Sequence, residues 1–368
     1  MRRVRNQPRA GWQEKVEAIG LTFHSADGQL YWDESAHYAF SAAEIDELEG
    51  AANAVHELCL KAAQHVIDGN LFHLLGIPAE IVPLIRSSWE REDFSLYGRF
   101  DFAFCPGMPP KLLEYNADTP TALVEAAIAQ WYWLQDTHPD GDQFNSIHEQ
   151  LIASWRRLAG ERVHMGGVKD HLEDEQTVFY IADTAQQAGV QIQTLPIDDV
   201  GFHTMQRRFV DLDNEVITHY FKLFPWEWMW ASEYGPHLKL DVCRFIEPPW
   251  KALLANKAIL PILWQLFPNH RNLLPAAFSA EELQKQGVRN YVRKPKLSRE
   301  GANVSIHSDG RVIAETAGEY GESVSIFQAF APLGEFEGNH PVCGVWIIND
   351  AACGLGIRED KSLSLIHI

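Results

Sequence analysis

Two β-prone runs around one Gly- and Pro-dense loop constrain this chain more than anything else in it. Leu96-Tyr-Gly-Arg-Phe-Asp-Phe-Ala-Phe104 leads into Cys105-Pro-Gly-Met-Pro-Pro110, and Lys111-Leu-Leu-Glu-Tyr-Asn-Ala117 follows. That order reads as an antiparallel hairpin. Side chains alternate between faces along a strand, so Arg99 and Asp101 share one face while Phe100 and Phe102 take the other. On the second strand Glu114 and Asn116 share a face, and Leu113 and Tyr115 take the other. With the turn centred between Gly107 and Met108, Asp101 lies opposite Glu114 and Arg99 opposite Asn116. A slip of two residues is the competing register.

Two opposed carboxylates repel across a bare sheet, so Asp101→Asn is expected to raise stability in the absence of metal. A divalent cation between them reverses the sign. Two carboxylates and an amide carbonyl are hard oxygen ligands of the kind Mg²⁺ takes, with phosphate oxygens completing the sphere. Arg99 on the same face would meet a phosphate or the charge that develops on transfer. A plainer reading stands beside this one: charged strand faces usually meet solvent, with an ordinary Arg–Asp or Arg–Glu pair. Asn116-Ala-Asp-Thr-Pro120 then leaves the strand for a helix expected to start near Pro120. It would be entered from Asp118 or Thr119, run through Leu123, Ala127 and Trp131, and favour an anion at its first amides.

Charge and composition remove whole classes of function. The chain has 31 Lys+Arg against 50 Asp+Glu, a formal net charge of −19 over 368 residues. That is the wrong sign for gripping nucleic acid. It suits a cationic or metal-chelated partner, although solubility alone also favours an acidic surface. No run approaches the roughly 20 apolar residues of a membrane helix. The nearest, Ala258 to Phe267, is short and holds Pro261. Arg2, Arg3, Arg5 and Arg9 precede no apolar run, so they read as a frayed basic arm rather than a secretory signal. Five cysteines without a Cys-x-x-Cys read as reduced thiols of a cytoplasmic protein, not as a zinc site. P-loop, dinucleotide-binding glycine, zinc-protease and nucleophile-elbow motifs are all missing from the sequence.

Periodicity gives an α+β chain with no repeat and no confident internal boundary. Ser41 with Glu44 signals a capped helix to about Asp68. Helices are expected over 144–158 and 174–189. Strands are expected near 162–168, 192–195, 216–224 and 291–294, and across a strand-rich C-terminal third at 304–307, 312–315, 323–330 and 342–348.

Tyr97-Gly-Arg-Phe-Asp101, Leu112-Leu-Glu-Tyr-Asn-Ala-Asp-Thr-Pro120 and Leu123-Val-Glu125 resemble the synthetase domain of the glutathionylspermidine synthase family. Their stand-alone bacterial homologues, described as acid–amine ligases, are more similar still. The likeness continues through Lys222-Leu-Phe-Pro-Trp-Glu-Trp-Met229, Glu247-Pro-Pro-Trp250, Asn256-Lys-Ala-Ile-Leu-Pro-Ile-Leu-Trp264, Lys294-Pro295, Ser298-Arg-Glu-Gly-Ala-Asn303 and Ile326-Phe-Gln328. It spans about residues 11–363, taken as one ligase domain, with 364–368 an atypical tail.

The resemblance implies an ATP-grasp-type fold with nucleotide between two β-sheet subdomains and a helical N-terminal region. It implies two Mg²⁺ ions, one on Asp101 and Glu114 and a second on Glu114 and Asn116. Arg99 would stabilise the transferring phosphate. Arg99, Phe100 and Asp101 would line ATP together with Lys257, Lys294, Glu300, Gly301, Gln328, Ala329, Phe330, Ala331 and Leu363. Thr119 falls where the family places a serine against glutathione. Glu173 and Asp174 would help hold a polyamine, and the Pro225–Trp230 aromatics would wall it. Taken alone, the lysines read as surface charges, Glu173-Asp-Glu175 as a solvated helix start, the Pro225–Trp230 run as a packed helix start and Arg299–Asn303 as a turn. The bifunctional members carry an amidase domain that this sequence lacks, so ligation alone is implied: an acid like glutathione joined to an amine like spermidine through an acyl phosphate. No nucleic acid or membrane partner is expected. A different peptide–amine pair, or a non-catalytic nucleotide- or polyamine-binding protein, are the alternatives.

Overall fold

Ser41 accepts from the Glu44 amide while the Glu44 carboxylate returns to the Ser41 amide, and the 27-residue helix Ala42–Asp68 follows. Its Leu48, Val55, Cys59, Ala62 and Val66 are buried against Phe100, Phe102, Phe104 and Tyr115 of the hairpin in one cluster. Burying a Phe side chain is worth about 1.5–3 kcal/mol. The apolar face of the hairpin is therefore committed to this core, and the charged face must look the other way. A computed structural model describes residues 1–26, 29–299, 301–320 and 324–362.

The hairpin strands Tyr97–Ala103 and Lys111–Asn116 sit in a four-stranded antiparallel sheet, ordered Ala351–Asp360, His340–Ile348, Tyr97–Ala103, Lys111–Asn116. Arg99 pairs with Asn116 and Asp101 with Glu114, the register the turn symmetry predicts. A bulge after Asp101 then shifts Phe102 onto Leu112 and Ala103 onto Lys111. It therefore moves the apolar end without disturbing the charged pairs. Phe100 stacks on Tyr115 at 3.9 Å between centroids. Gly98 permits this, because a Cβ there would lie 2.7 Å from the Tyr115 ring.

A five-stranded antiparallel sheet carries Ala276–Ala277, Ser325–Ala329, Asn290–Pro295, Ser305–Ser308 and Arg311–Glu315 in that order. A third sheet, Arg244–Ile246, His219–Leu223, Arg162–Gly167 and Gln191–Thr194, is parallel. Its helix Leu172–Gln187 crosses between two of those strands, as parallel pairing requires. The architecture is mixed α/β, which the expected α+β label understates.

One expectation is corrected, and the start of one helix is moved. The basic arm is not frayed: Arg2–Arg5 pairs with Ala36–Ala39 as a two-stranded sheet, and Arg3, Arg5 and Arg9 all hold carboxylates. The helix expected near Pro120 is present and runs through Leu123, Ala127 and Trp131, but it starts three residues later, at Leu123. Residues 117–122 are loop, Ala122 has φ 64°, and a π-helical turn, Glu125–Ala129, precedes Gln130–Thr137. Asp118 does not cap this helix, because its carboxylate accepts from Lys222 Nζ at 2.6 Å and from the Trp226 amide at 2.9 Å. No helix among the described residues is long and apolar enough to cross a membrane.

Candidate active site

The charged face of the hairpin is buried. Arg99, Asp101 and Glu114 are 4%, 1% and 3% exposed, so the solvent-facing reading fails. The reason is tertiary, since the five-stranded sheet and its loops close over this face. Lys294, on the strand Asn290–Pro295, donates to the Leu113 carbonyl at 3.0 Å and to Gln328 Oε1 at 2.9 Å. Gln328 Nε2 in turn reaches the Leu112 carbonyl at 3.0 Å. Lys257 Nζ lies 3.1 Å from Glu114 Oε2 and 2.6 Å from the Ser298 carbonyl.

Arg99 lies along the sheet. Its Nε is 2.9 Å from Asp101 Oδ1, its Nη2 is 3.3 Å from Oδ2, and its Nη1 donates to the Thr121 carbonyl. Gly344, on the neighbouring strand, leaves it room: a Cβ there would stand 3.0 Å from Arg99 Cδ. Asn116 Nδ2 donates to Asp101 Oδ2 at 3.0 Å and to Glu114 Oε1 at 2.9 Å, bridging the two carboxylates. Burial pushes the Asp101 carboxyl up, but Arg358 and Arg99 outweigh it and hold it at about 2. Burial likewise drives Lys294 down to about 7, although Glu114 pulls it upward.

Thr119 lies beside the loop that follows Lys294. Arg299 Nη1 donates to Thr119 Oγ1 at 2.9 Å and Nη2 to Glu227 Oε1 at 2.8 Å, while its guanidinium rests 5.3 Å from the Trp228 ring centroid. The aromatic run is therefore divided. Trp226 and Met229 are core, whereas Glu227 and Trp228 face Arg299. Asp174 sits in the first turn of Leu172–Gln187; burial raises its carboxyl, while His171 and the more distant Arg299 oppose that. Glu173 precedes it in the same turn.

Other sequence candidates stand differently. The Phe100 side chain is fully buried on the opposite face, leaving only its backbone near the charges. Ala329 ends its strand, and its amide donates to the Pro275 carbonyl at 2.7 Å; the Phe330 amide donates to the Asn290 carbonyl at 3.0 Å. Ala331 is buried. Gly301 has φ 69°, which suits a glycine, and its carbonyl accepts from Thr316. Glu300, Leu363 and the tail 364–368 lie outside the described residues.

Sequence reasoning missed Arg358. It projects from Ala351–Asp360, and its Nη2 lies 2.5 Å from Asp101 Oδ2. Burial and the nearby Arg99 lower its pKa. Tyr31 was missed as well: its hydroxyl donates to Glu125 at 2.6 Å, and burial raises the Glu125 carboxyl, which Arg99 helps to offset. Only the Leu-Val-Glu run hinted at Glu125, and nothing local marks either partner. A surface hollow of about 520 Å³ around Phe202, His203, Asp211 and Leu212 contains none of the hairpin residues.

Among the described residues no cluster of three His, Cys, Asp or Glu side chains gathers for a metal. The donor set still fits Mg²⁺. Two carboxylates meet across one strand pair, a turned Asn116 amide would offer its oxygen, and phosphate oxygens commonly fill the rest of such spheres. Arg99, Arg358, Lys257 and Lys294 surround those carboxylates, so the site can hold polyphosphate and a transferring phosphoryl group.

Residues 3–366 match the family described as glutathionylspermidine synthase preATP-grasp. A Haemophilus influenzae protein named "Putative acid–amine ligase" is 40% identical over 380 residues, 98% of this chain and 95% of its own length. Trypanothione synthetase of Crithidia fasciculata is 31% identical, with 84% of this chain and 52% of the relative covered. The bifunctional glutathionylspermidine synthetase/amidase of Escherichia coli is 28% identical, with 96% and 61% covered. The chain thus spans little more than half of those two longer proteins. A glutathione synthetase-like effector from Globodera pallida shares the fold at TM-score 0.57 and 9% identity, with 95% of this chain and 94% of that one covered.

Proposed function

The chain belongs to the glutathionylspermidine synthase preATP-grasp family, and from that premise we propose that it joins a carboxylic acid to a primary amine in a reaction driven by ATP. Members of the family are enzymes, C–N-bond-forming ligases. The observation that carries the reading is the buried hairpin face, where Arg99, Arg358 and Lys257 hold Asp101 and Glu114, with Lys294 alongside on the Leu113 carbonyl, in a chain of net charge −19.

ATP would lie between the four-stranded and five-stranded sheets, as in an ATP-grasp domain spanning residues 11–363. Two Mg²⁺ ions would be held, one by Asp101 and Glu114 and one by Glu114 and Asn116. When bound they would supply positive charge that offsets the charge of the polyphosphate. Lys257 and Lys294 would bind the polyphosphate.

The acid's carboxylate oxygen attacks the γ-phosphorus, the bond to ADP breaks, and an acyl phosphate forms. Arg99 and Arg358 face the charge that develops on the transferring group. The amine, as its free base, then attacks the acyl carbon. The C–O bond to phosphate breaks, and the departing phosphate takes the electron pair and the surplus proton from nitrogen. Thr119 and Arg299 would receive the acid, a glutathione-like peptide. Glu173, Asp174 and Glu227 with Trp228 would receive a spermidine-like amine.

The names of the relatives support both substrate classes. Coupled ADP release across a grid of acids and amines, with mass spectrometry of products, tests the reading. ADP release that needs both a γ-glutamyl peptide and a polyamine is expected. ATP turnover with no amine dependence in any pairing would sink it.

A further inference from the structure

We propose that the N-terminal strand Arg2–Arg5 and its partner Ala36–Ala39 form a clamp that positions Arg358, acting through Glu359. The inference rests on the ligase reading, in which Arg358 faces the transferring phosphoryl group.

Arg3 and Tyr38 are direct cross-strand partners, and both converge on one carboxylate. Arg3 Nη2 lies 2.7 Å from Glu359 Oε1 and its Nε 3.0 Å from Oε2, while the Tyr38 hydroxyl donates to Oε2 at 2.5 Å. Side chains alternate along a strand. With Glu359 turned toward the clamp, Arg358 turns to the opposite face, where it meets Asp101 at 2.5 Å.

The strand Ala351–Asp360 is the outermost of its sheet; residues 144–146 bridge its first half at Gly354, while among the described residues its second half is paired with His340–Ile348 alone. An edge-strand terminus is where a sheet opens most readily. A two-pronged guanidinium–carboxylate contact is the interaction best suited to fix its direction. The clamp contact is itself sheltered, since the Arg3 side chain is 10% exposed against 77% for Arg5. Glu359 therefore anchors the backbone one residue from the guanidinium that must stay aligned. A misplacement of about 1 Å in such a group can cost on the order of 10²-fold in rate. Arg5 pairs with Glu337, which Arg3 Nη1 also reaches at 3.1 Å, but Arg5 itself does not touch Glu359, so removing Arg5 serves as an internal control for charge lost beside the clamp.

The test is a double-mutant cycle of Arg3→Gln and Arg358→Lys on the full chain. It is read as kcat and KM for ADP release with glutathione and spermidine, and in parallel as Mg–ATP affinity by calorimetry. Arg3→Gln alone is expected to lower kcat about tenfold and to weaken Mg–ATP binding about threefold, with the melting temperature close to wild type. In the Arg358→Lys background the same change should add less than about twofold, because its target is already disabled. The same non-additivity is expected in the calorimetric cycle. Arg5→Gln should be silent. Tyr38→Phe, which keeps the ring and removes only the hydroxyl, should repeat the pattern more weakly, and it carries the cycle if Arg3→Gln does not fold. Effects that multiply across the two sites, or a wild-type kcat in both clamp variants, would overturn the proposal. If the wild-type protein releases no ADP with these substrates, that reaction fails on its own account, while the calorimetric cycle still decides the clamp.

Discussion

Arg358 and Asp101 stand 257 residues apart in the chain and 2.5 Å apart in the fold. That contact changes the expected effect of neutralising Asp101. A bare pair of facing carboxylates would gain from losing a charge. Here Asp101 is held by Arg99 and Arg358, and Glu114 by Lys257, so the repulsion is already answered.

Asp101→Asn should therefore abolish turnover and lower stability by about 1–3 kcal/mol, since it leaves two guanidinium groups short of a charged partner. Urea unfolding without metal checks the sign. A variant more stable than wild type would show that carboxylate repulsion dominates after all.

Arg99→Lys keeps the charge but loses the two-pronged contact to Asp101 and the bond to the Thr121 carbonyl. A fall in kcat of about 10²-fold is expected, with a smaller change in KM for ATP. Steady-state kinetics with ATP varied decides it, and an unchanged kcat would remove Arg99 from the phosphoryl-transfer step.

Lys294 gives stability a pH dependence with a definite sign. Burial holds it near 7 in the fold, against 10.5 unperturbed. Between those values the unfolded chain binds the extra proton, so this group's contribution to stability rises with pH from about 7 to 10.5. The urea midpoint of wild type should gain on that of Lys294→Met between pH 7 and 9. Parallel midpoints across that range would mean that Lys294 stays charged in its pocket.

Gly98 and Gly344 face opposite sides of the same sheet, and alanine at each should fail differently. At Gly98 the new methyl meets the Tyr115 ring at 2.7 Å, so stability should fall by about 1–3 kcal/mol. At Gly344 it meets Arg99 Cδ at 3.0 Å, so the guanidinium should shift and kcat should fall about tenfold with a smaller loss of stability. Thermal melts and turnover measured on both variants would separate them. Equal damage to both properties in both variants would contradict the division of faces.

The hairpin was legible because its information is local. Strand alternation sorts Arg99, Asp101, Glu114 and Asn116 onto one face, and a symmetric turn sets the register. The capped helix Ala42–Asp68 was legible for the same reason. The bulge after Asp101 was not, because the two alternation patterns are compatible with either count beyond it. The helix expected near Pro120 starts at Leu123 instead, because the segment before it is claimed from elsewhere: Arg99 takes the Thr121 carbonyl, and Lys222 takes Asp118. The basic N-terminus looked unattached because the acceptors of Arg3 and Arg5, Glu359 and Glu337, lie more than 330 residues downstream.

By itself, then, the sequence determined which side chains share a strand face and which chemistry they can perform, since period and turn geometry are properties of neighbouring residues. Whether that face meets water or a site was decided only by the tertiary structure. The sheet order that brings Ala351–Asp360 toward Tyr97–Ala103, and the second sheet that lowers Lys294 and the Arg299 loop onto Glu114 and Thr119, depend on contacts between distant segments. Burial turns an ordinary run of charges into a site. In low dielectric the same ions interact more strongly, cannot be left unpaired, and hold one another at fixed distances.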